Sequence, residues 1–238
     1  MSQANVYEQY LLELINVERA KAGVQPLAMN GDLNESAELH SQWMLSADVF
    51  SHTGSGGSTF TARMTSAGYN LTGSWWAGEN IAWGSLRSPA GYIDEVQLLH
   101  TALMNSSGHR ANILKADYRE VGLGFELGQF KTYQAAMLTE DFAKSGTSAF
   151  LLGVAFDDKD GDHFYDPGEQ LAGVTVTATN SSGASGRDTP SRGESIQACG
   201  PAAGFAPNME QPVRNSKPAM SRVEKVCFMG SPRWLSIT

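Results

Sequence analysis

Three side chains in the first half of the sequence have types that can do chemistry together: His52, Glu79 and His109. Two imidazoles and a carboxylate form a ligand set that suits Zn²⁺ with an open fourth position, where a bound water could be activated. They lack the one-turn spacing of a His-x-x-x-His helix, so spacing alone gives no support for a metal. The same groups could instead form a hydrogen-bonded network that fixes loops to the core, because buried polar groups must be paired. Both interpretations stay open.

A nucleophilic mechanism finds little support in the sequence. Ser51, Thr53, Ser106 and Ser107 stand close to the two histidines along the chain, but no Gly-x-Ser-x-Gly elbow and no His-Glu-x-x-His pair occurs. A serine mechanism also needs an oriented histidine and an oxyanion hole, and sequence reveals neither.

The segment 158–169 is the most specific metal signal in the chain. Carboxylates stand at positions 1, 3, 5, 9 and 12, the spacing of a calcium loop, and position 7 would offer its backbone carbonyl. These six residues are Asp158, Asp160, Asp162, Asp166, Glu169 and Phe164. His163 replaces the glycine expected at position 6, at a cost of about 1 kcal/mol for the turn. The pattern predicts calcium binding; the alternative is a solvated acidic turn.

The charge distribution excludes some partners. Residues 1–179 carry 21 acidic and 10 basic residues, whereas residues 180–238 carry 4 and 7. An acidic body argues against nucleic acid, because binding to its backbone needs clustered Lys and Arg. No apolar run approaches the ~20 residues that span a bilayer, so we do not expect the chain to be an integral membrane protein.

The sequence also bears on location. Both cysteines, Cys199 and Cys227, lie in the last 40 residues, so no disulfide is expected within the first 180. The start lacks the basic and apolar regions of a cleavable signal peptide. Millimolar calcium outside the cell would neutralise the mutual repulsion of these carboxylates, whereas submicromolar cytosolic calcium would fill the loop far less readily. We therefore expect a secreted or extracellular protein with no cleavable signal peptide in this chain.

Apolar periodicity indicates the elements that must position these residues. Helices are predicted at 7–22, 33–47 and 59–67, and from Ser88-Pro89 to Leu103, with strands at 120–127 and 133–142. The segment 51–58 is a loop by composition. His40 and His100 continue helical faces and are predicted to be packing histidines. Helices followed by strands favour an α+β fold with an α/β/α sandwich.

A separate unit is predicted after residue 148. Strand-like segments at 151–156 and 173–179 flank the acidic loop, and beyond Asn180 no helical or strand period persists. We therefore predict a first domain over 1–145, a partial β-module over 149–179 and a disordered tail over 180–238.

Four motifs occur in order along the first domain. They are Leu14-Ile15-Asn16 with Arg19 and Pro26-Leu27, then Ser51-His52, then Gly78-Glu79-Asn80-Ile81-Ala82, and finally Met104-Asn105-Ser106-Ser107-Gly108-His109-Arg110-Ala111-Asn112-Ile113-Leu114. From Gln9 to Ala143 the chain resembles the bacterial branch of the CAP superfamily, the SCP-like group of cysteine-rich secretory, antigen 5 and pathogenesis-related proteins.

The resemblance implies an α/β/α sandwich whose central cleft is lined by two histidines and two acidic residues. His52, Glu79 and His109 match three of those positions, and Asn105 stands at the fourth, where it cannot carry a negative charge. A binding or matrix-type module is the favoured function. The rival is a metal-assisted hydrolase, with His52 and His109 as ligands and Glu79 as general base.

Two further resemblances concern ligands. Some CAP proteins bind lipids, and Trp75, Trp76 and Trp83 could line a groove for a lipid or another small molecule, although aromatic residues beside a glycine turn also pack as core or rim. The run from Gly153 to Thr179 resembles the first part of the calcium-binding B-type domains of serine-aspartate-repeat adhesins.

Overall fold

The structure, a computed structural model, describes residues 5–88, 91–146 and 149–171, and beyond them only the backbone of five short strands. The chain divides into two compact units, residues 1–146 and residues 147–238. No helix in the described part of the chain is long and apolar enough to cross a bilayer.

The first unit alternates helices and strands. Its helices are α1 (Val6–Lys21), α2 (Gly31–Ala47), α3 (Phe60–Ser66), α4 (Ile93–Asn105) and α5 (Ser107–Ile113), with a 3₁₀ turn at Ser55–Gly57. Its strands are β1 (Ala28–Met29), β2 (Trp76–Ser85), β3 (Glu120–Phe130) and β4 (Tyr133–Lys144). The predicted helices over the first 67 residues and the two predicted long strands are confirmed.

The four strands form one sheet in the order β1-β3-β4-β2. β1 runs parallel to β3, whereas β3, β4 and β2 are antiparallel neighbours, so β2 is an edge strand. The hairpin between β3 and β4 turns at residues 131–132, where Lys131 has φ 55°. Asp48 accepts a hydrogen bond from the Lys131 amide, which fixes this turn.

Helices cover both faces of the sheet. α2 lies against one face so closely that a Cβ at Gly122 or Gly124 would meet helix backbone at 2.0 or 2.3 Å. On the other face, Tyr7 of α1 packs against Phe125 at a ring distance of 5.8 Å. Successive strand residues point to opposite faces, so residues 122 and 124 meet α2 while residue 125 meets α1. The predicted α/β/α sandwich is confirmed.

Local signals fix the two helices that carry this packing. Asn5 precedes α1 and forms a capping box with Glu8. The Asn5 side chain accepts a hydrogen bond from the Glu8 amide, and the Glu8 side chain accepts one from the Asn5 amide. Asn30 caps α2, and Asp48 ends it in the left-handed conformation at φ 55°. The buried core between helices and sheet includes Leu11, Ile15, Leu33, Ala37, Met44, Val121, Leu123, Met137, Leu138 and Phe142.

One prediction in this unit needs correction, and one strand was not predicted. The helix expected to begin at Ser88-Pro89 begins at Ile93, after Tyr92 with φ 55°. Residues 89–90 lie outside the described residues, and Glu95 in the first turn of α4 accepts a hydrogen bond from the Arg87 amide. The glycine-rich stretch 76–85 is a strand, because its residues pair with all but the first two of β4.

In the second unit, β5 (Ala149–Gly153) and β6 (Ala155–Phe156) precede the acidic loop. The chain pairs with itself after the loop, where Phe156 bridges Gln170 and the Leu171 amide donates to the Ala155 carbonyl at 3.1 Å. Phe156 packs edge-on against buried Tyr165. The acidic loop is thus closed by antiparallel backbone pairing.

The remaining strands are β7 (Val176–Thr179), β8 (Ser185–Asp188), β9 (Ile196–Gly200), β10 (Lys225–Val226) and β11 (Leu235–Ile237). β9 pairs with β5, β10 with β6, and β7 with β8 and β11. The prediction of a disordered tail over 180–238 falls mostly on residues outside the described ones.

Candidate functional site

Glu79 is the centre of a buried polar cluster. It lies on β2 directly opposite Asp141 of β4, and its side chain is 1 % exposed. Oε1 accepts a hydrogen bond from His52 Nδ1 at 2.7 Å, and Oε2 forms an ion pair with Arg63 Nη2. A buried carboxylate needs such partners, because an uncompensated buried charge is costly. Arg63 therefore supplies the counter-charge for Glu79.

Arg63 also fixes the loop that carries His52. It lies on α3, and its Nη1 donates to the backbone carbonyls of His52 at 3.1 Å and Ser58 at 3.0 Å. One guanidinium thus joins α3, the loop 51–58 and the edge strand β2. The planar fork of arginine suits this role, because it presents several donors in fixed directions.

Asp141 is the second acid of the cluster and is fully buried. Its Oδ2 accepts a hydrogen bond from the Ser36 hydroxyl of α2 at 2.6 Å. Burial, and then the charge of Glu79, raise the pKa of Asp141 well above its ordinary value. Two carboxyl groups in contact cannot both ionise cheaply, so Asp141 keeps a proton and donates it to Glu79.

Glu79 is the charged member of this pair. Burial raises its pKa to about 7, while the Arg63 charge and the hydrogen bonds from Arg63 and Asp141 act in the opposite direction. Its carboxylate therefore accepts from three side chains at once. An acceptor that is so fully occupied orients its neighbours and is poorly placed to take a further proton from a ligand.

His40 joins the cluster from α2. Its Nε2 lies 3.0 Å from the Ser51 carbonyl and 4.0 Å from Glu79 Oε2. Because a carbonyl only accepts, Nε2 carries the hydrogen. Burial, the Arg63 charge and the His52 charge lower the pKa of His40 to about 4. The helical-face pattern correctly predicts a buried histidine but does not detect that it borders the acidic pair.

Of the two predicted cleft histidines, His52 contacts Glu79 directly. The His52 side chain is 55 % exposed, and its bond to Glu79 places the hydrogen on Nδ1 and leaves Nε2 with a free lone pair. His109 lies in α5 and is half-buried. Burial lowers the pKa of both, and the charge of His52 lowers that of His109 further.

A second polar network holds α5 to the opposite face of the sheet. Asn80, the residue after Glu79, donates from Nδ2 to the His109 carbonyl at 3.1 Å and to Glu140 Oε2 at 2.9 Å. Asn112 donates to Asn80 Oδ1 at 2.9 Å. Burial raises the pKa of Glu140 to about 7. The edge strand β2 thus anchors the His52 loop through Glu79 and the His109 helix through Asn80.

Comparison with known proteins agrees with this arrangement. Residues 12–142, more than half of the chain, match the sequence profile of CAP, described as the cysteine-rich secretory protein family. The chain belongs to the CAP family. The CAP unit is accordingly the sandwich formed by α1 to α5 and β1 to β4.

Two relatives come from Bacillus subtilis strain 168. The uncharacterized protein YkwD is 37 % identical over 135 residues, which cover 56 % of this chain and 48 % of YkwD. The uncharacterized membrane protein YlbC is 30 % identical over 119 residues, covering 50 % of this chain and 31 % of YlbC. The chain thus spans about half or less of the length of these relatives.

Among solved structures, an extracellular protein containing a SCP domain from Bacillus anthracis strain Ames is 26 % identical to the chain, with a TM-score of 0.47. The likeness covers 58 % of this chain and 40 % of that one.

Asn105, the residue at the fourth CAP cleft position, is the last residue of α4 and is exposed. It makes no hydrogen bond to the other cleft residues within the described part of the chain. No acidic residue occupies this fourth position. The buried acid beside Glu79 is instead Asp141 on β4.

The tryptophans of the CAP unit separate into two environments. Trp75 and Trp76 are 47 % and 43 % exposed, and Lys115 Nζ lies 3.9 Å above the Trp76 ring. Trp83 packs against Phe130 at a ring distance of 4.8 Å. Trp83 is therefore partly buried against the core, while Trp75 and Trp76 stay accessible.

The acidic loop of the second unit brings its first three aspartates together. Carboxylate oxygens of Asp158, Asp160 and Asp162 lie within 4.8 Å of one another. Glu169, at the last ligand position, reaches back to accept from the amides of Lys159 at 2.8 Å and Asp166 at 3.1 Å. The predicted carboxylates therefore surround one turn of backbone.

The backbone of His163 and the carboxyl group of Asp166 both lie in unfavourable environments. His163 has φ 69°, the left-handed conformation in which the calcium pattern normally places glycine. Its Nδ1 lies 2.8 Å from Asp158 Oδ2, and this bond lowers the pKa of Asp158. Burial, and the charges of Asp162, Glu169 and Asp160, raise the pKa of Asp166. Mutual repulsion of this kind favours the entry of a cation.

Sequence analysis did not assign four residues to the Glu79 cluster: Ser36, His40, Arg63 and Asp141. Ser36 and Arg63 lie on helix faces where serine and arginine are ordinary, so their types give no signal. Asp141 follows Thr139 and Glu140 in the buried part of β4, whose other residues, 135–138 and 142–143, are apolar, and all three are fully buried. A run of polar residues in a central strand is the signal that could have found it.

Proposed function

We propose that the chain is an extracellular binding or matrix-type CAP protein whose ligand contacts the cleft of His52, Glu79 and His109. The observation that carries this proposal is the saturation of Glu79, which accepts from His52, Arg63 and Asp141. Such a carboxylate holds His52 in one orientation, and the free Nε2 then offers a single acceptor to a ligand. A small molecule or lipid head group with a hydroxyl or amine donor fits this chemistry.

A second candidate function is supported by the orientation of His52. Histidines that bind metals usually donate their other ring hydrogen to a carboxylate, which is the relation between His52 and Glu79. His52 Nε2 and a ring nitrogen of His109 would hold a zinc ion, and a zinc-bound water supplies a nucleophile for hydrolysis. Glu79 would then orient His52, since its engagement with Arg63 does not suit a general base.

One experiment separates the two functions. Protein purified without added metal is analysed for bound elements, then titrated with zinc beside the double variant His52→Ala, His109→Ala. The binding-module proposal expects equally weak zinc binding by both proteins. A stoichiometric site in the wild type that is lost in the double variant would overturn it in favour of the hydrolase.

We infer that the loop 158–169 binds calcium through Asp158, Asp160, Asp162, Asp166, Glu169 and the Phe164 carbonyl. The proximity of the first three carboxylates and the raised pKa of Asp166 support this. Calcium should raise the melting temperature, because it binds the folded loop preferentially. An Asp158→Ala, Glu169→Ala variant with an unchanged calcium response would contradict the proposal.

The proposed calcium site supports an extracellular location, since calcium reaches millimolar concentrations outside the cell. The resemblance of 153–179 to a B-type calcium module, and the boundary between 145 and 149, remain predictions. Limited proteolysis tests the boundary: with calcium present, first cleavage at residues 145–149 is expected, and first cleavage within 1–144 would contradict it.

A further inference from the structure

Aromatic and basic side chains gather at one end of the sheet of the CAP unit, where β2 begins and β4 ends. Trp75 and Trp76 are 47 % and 43 % exposed. Lys144 lies directly opposite Trp76 in the pairing of β2 with β4, and directly opposite residues of an antiparallel pair share a face. Lys115, two residues after α5, places its Nζ 3.9 Å from the centre of the Trp76 ring. Two lysines therefore flank Trp76.

The loop that carries Lys115 is fixed by hydrogen bonds and brings a third cation. Arg119, at the end of this loop, donates from Nη1 to the Ala116 carbonyl at 2.7 Å. Buried Arg19 of α1 donates to the Lys115 carbonyl at 3.0 Å and to the Tyr118 carbonyl at 3.4 Å. The loop and the strand ends together form what we call the Trp–Lys face: Trp75, Trp76, Lys115, Arg119 and Lys144.

The positive charges of the Trp–Lys face lack acidic partners. Within the described part of the chain, its three basic residues form no ion pair, whereas four other basic residues of the CAP unit do: Lys21, Arg63, Arg87 and Lys131. Asp117 is exposed in the same loop and offsets one of the three cations. Residues 1–146 carry 15 acidic and 9 basic residues, so the face is a local excess of positive charge on an acidic unit. Such a face attracts an anionic partner.

The tryptophans indicate which kind of anionic partner fits. Indole rings favour the boundary between water and lipid headgroups, and basic residues beside them attract anionic headgroups. A nucleic-acid base, like a sugar ring, stacks on the open face of an aromatic ring. Lys115 already occupies one face of the Trp76 ring. The Trp–Lys face therefore suits a lipid surface better than a nucleic acid or a glycan.

We propose that the Trp–Lys face docks the CAP unit on the surface of an anionic phospholipid bilayer. The indole rings of Trp75 and Trp76 enter the headgroup layer, and Lys115, Arg119 and Lys144 contact its phosphates. Each basic residue near such a surface strengthens binding about fivefold. Docking uses none of the cleft residues, so it goes beyond the proposed binding function and does not depend on it.

The test is cosedimentation of the full chain with vesicles of phosphatidylglycerol mixed with phosphatidylcholine, and with vesicles of phosphatidylcholine alone. We expect binding to the anionic vesicles that weakens as salt is raised, and little binding to the neutral ones. The double variant that combines Lys115→Gln with Lys144→Gln should bind about 30-fold more weakly, because it removes two charges of the face. Its melting temperature should be unchanged, since neither lysine loses an ion pair.

The matched control uses the two lysines at opposite ends of β4. Lys144→Gln should weaken binding to the anionic vesicles about fivefold. Lys131→Gln removes the same charge just before β4, at the other end of the sheet, where Asp48 already pairs with it. This variant should bind as the wild type does, because a charge far from the docked surface is screened.

A measurement on the unaltered chain complements the variants. Brominated phosphatidylglycerol in the vesicles should quench tryptophan fluorescence, and should quench it less in the double variant that combines Trp75→Phe with Trp76→Phe. The proposal is overturned if the wild type does not bind anionic vesicles, or if Lys131→Gln weakens binding as much as Lys144→Gln. Unchanged binding by the double lysine variant would place the contact elsewhere in the chain and also overturn it. Binding to dextran sulfate without binding to vesicles would overturn it in favour of an acidic polysaccharide.

Discussion

The chain contains two groups of neighbouring carboxylates, which differ in their burial and in the source of the positive charge that offsets their repulsion. In the CAP unit, Glu79 and Asp141 are buried side by side, and the protein supplies both a cation, Arg63, and a proton. In the acidic loop, Asp160 and Asp162 are exposed and no arginine lies in the segment 158–169. The buried group is neutralised from within, whereas the proposed calcium site would draw its cation from solution.

Burial explains the difference. A carboxylate in the interior loses its hydration, so folding requires that its counter-charge be part of the fold. An exposed carboxylate keeps its hydration, and several can gather at little cost until a divalent ion replaces water. The first arrangement is permanent and structural, and the second responds to its surroundings.

The largest effect is expected from Glu79→Ala. The substitution leaves the Arg63 charge buried without its partner and should cost about 3–5 kcal/mol of the free energy of unfolding. Urea denaturation measures it. The matched variant Asp141→Asn keeps a neutral group that can still donate to Glu79, so it should cost less than about 1 kcal/mol. Equal losses would contradict the assignment of the charge to Glu79 and the proton to Asp141.

Gly122→Ala should have the next largest effect on the CAP unit. Its Cβ would lie 2.0 Å from the Leu33 carbonyl carbon, so α2 must move away from β3. We expect a loss of about 1–3 kcal/mol in the free energy of unfolding. Gly108→Ala is the control, because a Cβ there meets nothing within 4 Å. If the two variants were equally stable, α2 would not be fixed on the sheet as described.

The pH dependence of stability should reveal the buried acids. The pKa of Glu140 rises from 4.5 to about 7 on folding, so the folded state keeps the proton longer. Its contribution to stability is fully present below pH 4.5 and is lost as the pH rises through about 7. Glu140→Gln should flatten the fall of the unfolding free energy in this range by about 1 kcal/mol per pH unit. An unchanged slope would show that Glu140 is ionised in the folded protein.

The smallest effect is expected from His163→Gly in the loop. Glycine relieves the positive φ and frees Asp158 from its hydrogen bond to His163. Calcium affinity should rise by up to about tenfold, equivalent to about 1.4 kcal/mol. Calorimetry compares the variant with wild type, and a weaker affinity would mean that His163 helps to build the site.

Much of the fold could be predicted from the sequence because its signals are local. The apolar stripes of α1 and α2, the motif order and the two long strands are readable along the chain. The edge strand β2 was not predicted. Its glycines at positions 78 and 84 are more typical of a loop, and its pairing with β4 is long-range.

Only some residues of the site could be predicted from the sequence. His52, Glu79 and His109 belong to motifs, so the resemblance identifies them. Asp141 becomes the partner of Glu79 only through the register of β2 and β4, and Arg63 only through the approach of α3. Such relations depend on tertiary packing that no local pattern encodes.

The most direct test of the contrast between the two carboxylate groups is a calorimetric calcium titration of three proteins: the wild type, the loop double variant that combines Asp158→Ala with Glu169→Ala, and the single variant Glu79→Gln. The account predicts one calcium site in the wild type, none in the loop variant and one unchanged site in Glu79→Gln. Calcium binding that survives the loop variant, or that disappears in Glu79→Gln, would contradict it.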